Sequence, residues 1–511
     1  MNRRGGRGRA GMRAAGASAL CLAAVVCGPA ALPARAWAAG DPSPYAFEPD
    51  AERITGATTT SGARPLDAGA TYRDSITPGG RLIYRLDLDA KTSTYASAVA
   101  VPKPATVVDS SDRIKVSLQN SEGTDCSSNE ARFGVGSDFP RPLAAYAYRT
   151  ADKSAYSCQG SGRYYLVVER IGEVSSSSDP WELEIRHVSE PGLAKAGPTR
   201  APSGWPSASP APAGNGGTGE RAGGSGFYDA KGLVGGEWTT EIEPGASLFY
   251  RIPVDWGQQI FVGADLSSSE QPDGERVSGA FAMALYNPAR GLVGSSNSIS
   301  YDGRQKTATI APLPPVAYEN RFGYSSGDRD MRFAGWYYLR VSLNPEVGAA
   351  FGDKPLPLTL RVNVEGEPKE GPAYAGPAGD FGVSADDRDL AEDGRSPADE
   401  AADGATMRLV AAAGFGTGTA LLLGLGAWTL IARRNAGRGA VGGGPGAVGG
   451  GPGDGYGSGD GSGYGYGSGD GSGYGYGSGD GRGSAPESLA VPEQPQAQAQ
   501  PTQRYGPPAN W

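Results

Sequence analysis

Tyr72-Arg-Asp-Ser-Ile-Thr-Pro-Gly-Gly-Arg-Leu-Ile-Tyr-Arg-Leu-Asp-Leu-Asp89 returns 166 residues later, without a gap, as Trp238-Thr-Thr-Glu-Ile-Glu-Pro-Gly-Ala-Ser-Leu-Phe-Tyr-Arg-Ile-Pro-Val-Asp255. Ile76, Pro78, Gly79, Leu82, Tyr84, Arg85 and Asp89 recur in place. Leu82, Tyr84, Leu86 and Leu88 alternate with their neighbours, as do Leu248, Tyr250, Ile252 and Val254, and a period of two is that of a half-buried strand. Pro78-Gly79 and Pro244-Gly245 are turn dipeptides set just before those strands, the proline fixing φ and the glycine allowing it to turn positive.

Working outward, Leu118 and Asn120 correspond to Leu285 and Asn287, and Ser127-Ser-Asn129 to Ser295-Ser-Asn297. Gly162-Arg-Tyr-Tyr-Leu-Val-Val168 matches Gly335-Trp-Tyr-Tyr-Leu-Arg-Val341, and each half closes on a similar strand, Leu183-Glu-Ile-Arg186 and Leu358-Thr-Leu-Arg361. Landmarks in one order over so long a span indicate two copies of one domain. No amphipathic helix is legible between residues 50 and 365, and short strands punctuated by Gly, Pro, Ser and Asn predict an all-β fold. The expected architecture is two tandem β-sandwich or jelly-roll domains, 52–190 and 225–366, each large enough to bury a core. A Pro/Gly-rich linker, 191–224, separates them, and the two are expected to fold independently.

These motifs resemble the bacterial prepeptidase C-terminal type of β-sandwich: an aromatic residue, an Ile, Pro-Gly, Leu-x-Tyr-Arg, and later Gly-x-Tyr-Tyr-Leu-x-Val. They also resemble the modules that accompany von Willebrand type A domains in actinobacterial surface proteins. The resemblance covers roughly residues 52–190 and 225–365, and it implies non-catalytic modules for binding or spacing. Neither a peptidase domain nor the Asp-x-Ser-x-Ser run of a type A domain accompanies them here.

The chain ends speak of export. Five arginines between Arg3 and Arg13, an apolar stretch from Ala14 to Leu32 and Ala36-Trp37-Ala38 follow the plan of a signal peptide, 1–38. Leu20 and Val26 stand before Cys21 and Cys27 where a lipobox needs a small residue, which argues against a lipoprotein. An acidic stalk, 367–408, leads to Leu409–Ala432, 24 residues without a charge, long enough for a transmembrane helix. Arg433, Arg434 and Arg438 follow it, which places the C-terminus in the cytoplasm and the sandwiches outside the cell membrane. Gly414-x-x-x-Gly418 and Ala420-x-x-x-Gly424 have helix-packing spacing and admit a homodimer through the span, although a chain this rich in Gly and Ala also yields it by chance. The tail, 433–511, repeats Gly, Tyr, Ser and Asp and is expected to be disordered.

Composition narrows the chemistry. Removing the six arginines of the signal takes the formal charge from −9 to −15, unsuited to nucleic acid. Cys126 and Cys158, the pair left after export, are expected to form a disulfide. His187 is the sole histidine, so a Ser-His-Asp or Cys-His site would have to use it. Its position at a strand end, matched by Val362 in the second copy, marks it instead as a residue without a chemical role. Asp89 and Asp255 recur together, which reads as turn chemistry or as partners for Arg85 and Arg251. The Asp-rich runs 326–330 and 386–389 lack the spacing of a calcium loop. No phosphate-binding glycine loop occurs, and no cofactor is expected. Tyr164, Tyr165, Trp336, Tyr337 and Tyr338 alternate across their strands, so the outward rings are candidates for contact with a protein or a cell-wall glycan, the inward ones for core. The expected function is a non-catalytic, membrane-anchored surface-binding protein. The alternatives are a carboxylate-dependent cell-wall hydrolase, which needs no histidine, and a structural spacer.

Overall fold

The computed structural model describes residues 44–151, 158–208, 217–269 and 275–436. The first half lays down β1 (Glu52–Arg53), β2 (Arg64–Pro65), β3 (Thr71–Ile76), β4 (Arg81–Leu88), β5 (Ser93–Val101), β6 (Arg113–Asn120), β7 (Asp125–Arg132), β8 (Leu143–Arg149), β9 (Gly162–Ile171) and β10 (Trp181–Glu190). The second gives β11 (Gly217–Glu220), β12 (Lys231–Gly232), β13 (Gly236–Ile242), β14 (Ser247–Val254), β15 (Gln259–Leu266), β16 (Val277–Tyr286), β17 (Leu292–Tyr301), β18 (Lys306–Thr309), β19 (Gly335–Leu343) and β20 (Leu356–Glu365), with short helices α1 (Ser326–Asp330) before β19 and α2 (Glu346–Phe351) before β20.

Strand order is the same in both halves. The first half has sheets β1-β3-β10-β5-β8 and β2-β4-β9-β6-β7; the second has β11-β13-β20-β15-β18 and β12-β14-β19-β16-β17. Within each half the two sheets face one another across an apolar core, one containing Tyr84, Leu86, Val116, Leu166 and Ile185, the other Tyr250, Ile252, Leu285, Leu339 and Leu360. The repeated stretch is the corner where the chain crosses from one sheet to the other. Gly79 and Gly245 sit there at φ +68° and +85°, a backbone that side chains resist. Asn120 and Asn287 both cap the turn that follows their strand, each carboxamide oxygen accepting two backbone N–H bonds.

The likeness between the halves extends further upstream than the quoted stretch. A Cβ on Gly56 would lie 2.8 Å from the Tyr84 hydroxyl, and one on Gly223 would lie 2.9 Å from that of Tyr250. β11 (Gly217–Glu220) and Gly223 thus fall inside the stretch 191–224 that reads as linker. Of the remaining linker, 209–216 lies outside the described residues.

The halves do not hang apart on a tether. β5 is apolar or small on both faces: Ala96, Ala98 and Ala100 enter its own core, while Tyr95 and Val99 enter clusters shared with the second half. Val99 and Ala144 meet Phe227, Phe249, Ala284 and Tyr286; Tyr95, Tyr146 and Val188 meet Ala289, Phe333 and Phe381. Charges are buried in the same seam. Glu184 accepts from Arg290 at 2.6 Å and Glu190 from Arg321 at 2.8 Å, and both carboxylates are wholly inaccessible. Asp330 accepts from the Tyr146 hydroxyl. Burial, the largest single influence, works to lower the Arg290 and Arg321 pKa values, but Glu184 with Tyr45 and Tyr338, and Glu190 with Tyr95 and Tyr318, together raise them.

The acidic stalk needs a correction over much of its length. Residues 369–396 run back over the second half as a strap: Phe381 is fully buried, and Ala373 and Ala375 exchange backbone bonds with Ala194 and Gly192. Helix α3 (Ala385–Asp393), capped by Ser384, brings Asp387 to the Trp336 indole N–H at 2.8 Å and Arg388 to Asp255 at 2.6 Å. Charge on this segment thus serves specific partners on the sandwich, not only solvation.

Helix α4 (Pro397–Ala436) covers all of the expected span. Among the described residues no helix is long and apolar enough to cross a membrane, and the side chains of 408–417 lie outside that description. Beyond them Leu421, Leu422, Leu423, Leu425, Trp428, Leu430 and Ile431 are all exposed. The expected signal, 1–38, and the tail beyond 436 fall outside the described residues.

Candidate functional site

The five aromatic candidates do not make an open row. Tyr164 is buried beneath the Arg149 guanidinium and donates its hydroxyl to Gly160 O at 2.7 Å. Tyr165 packs against Ala63, Ile83 and Val167. Trp336 is covered on one face by Arg251, 4.1 Å from its ring centre, and tied to α3. Tyr337 is core, and Tyr338 lies 5.1 Å from Phe227 in the seam between the halves. The rings alternate between two faces, and in the second half the outer face is covered by α3 and the first half.

Other residues singled out by sequence fall into structural roles. Asp89 accepts from the backbone N–H groups of Lys91 and Thr92, and Asp255 from that of Trp256, so both carboxylates serve turns. Arg85 pairs with Asp87, and Arg251 reaches Arg395 O. His187 is buried with Nδ1 donating to Leu66 O at 3.1 Å and Nε2 without a partner, and burial lowers its pKa. Cys126 and Cys158 form the disulfide. Among the described residues no cluster of three or more His, Cys, Asp or Glu is arranged to hold a metal.

The arrangement best suited to a ligand lies elsewhere, where the copies differ. Twelve residues, 150–161, join β8 to β9, whereas 25 residues, 310–334, join β18 to β19. The longer connection carries a 3-10 turn (Tyr318–Phe322) and a one-turn helix, α1 (Ser326–Asp330). Linker residues 199–206 lie across it, leaving two adjoining hollows of about 460 and 390 Å³. Trp205, Trp256 and Tyr318 border these hollows together with Phe322 and Tyr324, the last fully exposed. Pro202, Trp205, Pro314 and Asn320 border both.

Backbone bonds hold this groove in shape. Val316 N–H donates to Gln258 O and Gly257 N–H to Val316 O, both at 2.8 Å. The buried Gln259 amide donates to Pro206 O and Leu313 O at 2.8 and 2.7 Å, clamping linker and loop together. At the floor Asn320, 2% exposed, donates from Nδ2 to Pro315 O and Met331 O, both at 2.8 Å. From the first half, Glu190 holds Arg321, whose guanidinium lies 3.3 Å from the Tyr318 ring centre. The groove is therefore built on the seam, and nothing in the repeated motifs marks it. Its available signal was the excess of chain after β18 and the lone Trp205 in a polar linker.

A third hollow, about 430 Å³, opens between the halves and is bordered by seven prolines and Arg141. Burial, reinforced by Arg340, lowers the Arg141 pKa to about 9, and both of its terminal nitrogens are already bonded to Ser137, Phe139 and Phe133. That guanidinium holds a loop together.

No family model and no curated protein matches the chain. Among solved structures it is similar to the tandem CBM51 modules of a family 98 glycoside hydrolase from Streptococcus pneumoniae, with 12% identity, TM-score 0.15, and coverage of 58% of this chain and 85% of that one. It is similar also to the CBM22 tandem domain of Xyn10C from Paenibacillus barcinonensis, at 9% identity, TM-score 0.16, 60% and 100% coverage. The ANX1 ectodomain from Arabidopsis thaliana matches at 8% identity, TM-score 0.17, 60% and 92% coverage. Scores this low carry no argument about this chain.

Proposed function

We propose that this protein is a non-catalytic surface-binding protein, built from two modules of the prepeptidase C-terminal type. In this reading 409–432 spans the cell membrane, the paired sandwiches stand outside, and they bind an extracellular, cell-wall or membrane-protein partner. One observation carries it: the second copy departs from the first by an added loop, and that loop builds an aromatic groove with a buried carboxamide at its floor. Pockets of roughly 300–1,000 Å³ with apolar walls and a few fixed polar groups are the usual form of a ligand site. The buried seam suits such a site, because rigid neighbours keep a groove from collapsing when it is empty.

The hydrolase reading has its own candidates, since Glu319 and Glu370 both border the larger hollow. Glu370 stands exposed to water, without the apolar enclosure that makes a carboxyl a general acid. The two readings separate in one experiment. Intact, wall-stripped cells treated with protease should lose the sandwiches and keep an epitope placed after Trp511. Purified cell walls should then retain the released ectodomain without shedding soluble fragments. Loss of the C-terminal epitope with survival of the sandwiches would reverse the topology; release of wall fragments that Glu319→Gln abolishes would establish a hydrolase.

A further inference from the structure

We propose that the groove on the second half takes a neutral oligosaccharide, with Asn320 accepting a hydrogen bond from one of its hydroxyls. This rests on the reading of the groove as the binding site and goes on to name the ligand. The argument begins at the floor. Asn320 is 2% exposed, and two backbone carbonyls, Pro315 O and Met331 O, each take a bond from its Nδ2 at 2.8 Å. Two acceptors at that distance decide which end of the carboxamide is nitrogen. They also consume both donors and fix the plane of the amide. Among the described residues nothing bonds to Oδ1, yet Asn320 borders both hollows. An acceptor oriented in this way, with both donors of the same carboxamide already consumed, can take a hydroxyl donor from a ligand.

The walls add the second requirement. Trp205, Trp256, Tyr318, Phe322 and Tyr324 border the hollows, and flat aromatic faces suit a ligand that is apolar on one side and hydrogen-bonding at its rim. A pyranose ring has C–H groups on its faces and hydroxyl donors around its edge. A proline-rich peptide fits the aromatic walls but not the floor. Proline has no N–H, such peptides present carbonyl acceptors, and the donors of Asn320 are already taken. Charge does not select a strongly ionic ligand, because Arg200 and Lys369 are interspersed with Glu319, Asp328 and Glu370 around the rim.

The test uses the full chain in detergent micelles, titrated calorimetrically with cellotetraose and fully N-acetylated chitotetraose, both neutral, and separately with a proline-rich decapeptide. Retention on purified cell walls is measured in parallel. A tetrasaccharide should bind with an affinity unchanged between low and high salt, as a neutral ligand requires. Trp205→Ala and the fully exposed Tyr324→Ala should each weaken binding by about threefold to tenfold, the usual worth of an aromatic contact. Tyr324→Ala should leave the melting temperature unchanged, which separates lost contact from lost fold. Asn320→Ala should weaken the tetrasaccharide further, and its own melt reports whether the loop survives. Binding of the peptide with none of either sugar overturns this proposal and leaves the surface-binding reading standing. So does wall retention equal in wild type, Trp205→Ala and Tyr324→Ala. Absence of binding to sugars, peptide and walls together overturns both.

Discussion

Replacing Glu190 by alanine is expected to loosen the seam between the two halves and to damage the groove behind it. The wild-type carboxylate is wholly buried and accepts three bonds at 2.8 Å, from Arg321 Nη2, the Tyr374 hydroxyl and the Tyr95 hydroxyl. Truncation leaves the Arg321 guanidinium, whose side chain is 4% exposed, without its counter-charge. Stranding one member of a buried ion pair costs about 3–5 kcal/mol. The two tyrosine hydroxyls lose an acceptor as well, at ~1–3 kcal/mol each in isolation, but groups sharing one site do not add. About 4 kcal/mol is therefore the expected loss, read from urea unfolding of residues 39–396 followed by tryptophan fluorescence. The double variant Glu190→Met, Arg321→Met should recover most of it, since apolar replacement of both partners is often neutral. Because Arg321 belongs to the 3-10 turn that carries Asn320, Glu190→Ala should also weaken any ligand of the groove. A stability within about 0.5 kcal/mol of wild type, the ordinary effect of a surface change, would refute the buried pair and the coupling drawn from it.

Alkylation of the protein purified without reductant should leave Cys126 and Cys158 unmodified, and reduction should lower stability by about 3 kcal/mol, the entropic worth of a loop this size; ready alkylation of both thiols would contradict the bridge. His187 should make the fold acid-sensitive. Burial lowers its folded pKa below the unfolded value of about 6.5, so its contribution is complete above that pH and is lost as pH falls toward the folded value. Unfolding measured from pH 7 downward should show this slope, and His187→Gln should remove it; an unchanged slope assigns it to other groups. A fragment spanning 217–396 should melt cooperatively and at a higher temperature than 225–366, because the shorter piece lacks β11, Gly223 and the strap with Phe381. Equal melting temperatures would mean that those contacts contribute nothing.

The strands and the likeness of the two halves were readable because each depends on neighbours close along the chain. A period of two follows from the pleat, and a Pro-Gly corner from local φ preferences, so Tyr84 and Tyr250 announce half-buried strands wherever the rest of the molecule lies. The disulfide was readable from the even pair of cysteines left in a segment that reads as exported. What surrounds each strand is not a local property. β5 carries no charge over Ser93–Val101, which was compatible with burial on both faces, yet nothing in that run says that its second face meets Phe333 and Phe381, more than 230 residues away. Glu184 and Glu190 read as the polar side of a strand and are instead the most deeply buried charges of the seam, because arginines from the other half neutralise them there. The acidic segment after β20 reads as solvated stalk for the same reason: Asp387 and Arg388 find Trp336 and Asp255 only once the chain has folded back. The groove is the extreme case. Trp205, Trp256 and Asn320 come from a linker, a strand corner and an added loop, and only their assembly on one face gives the carboxamide its fixed direction and the rings their common hollow.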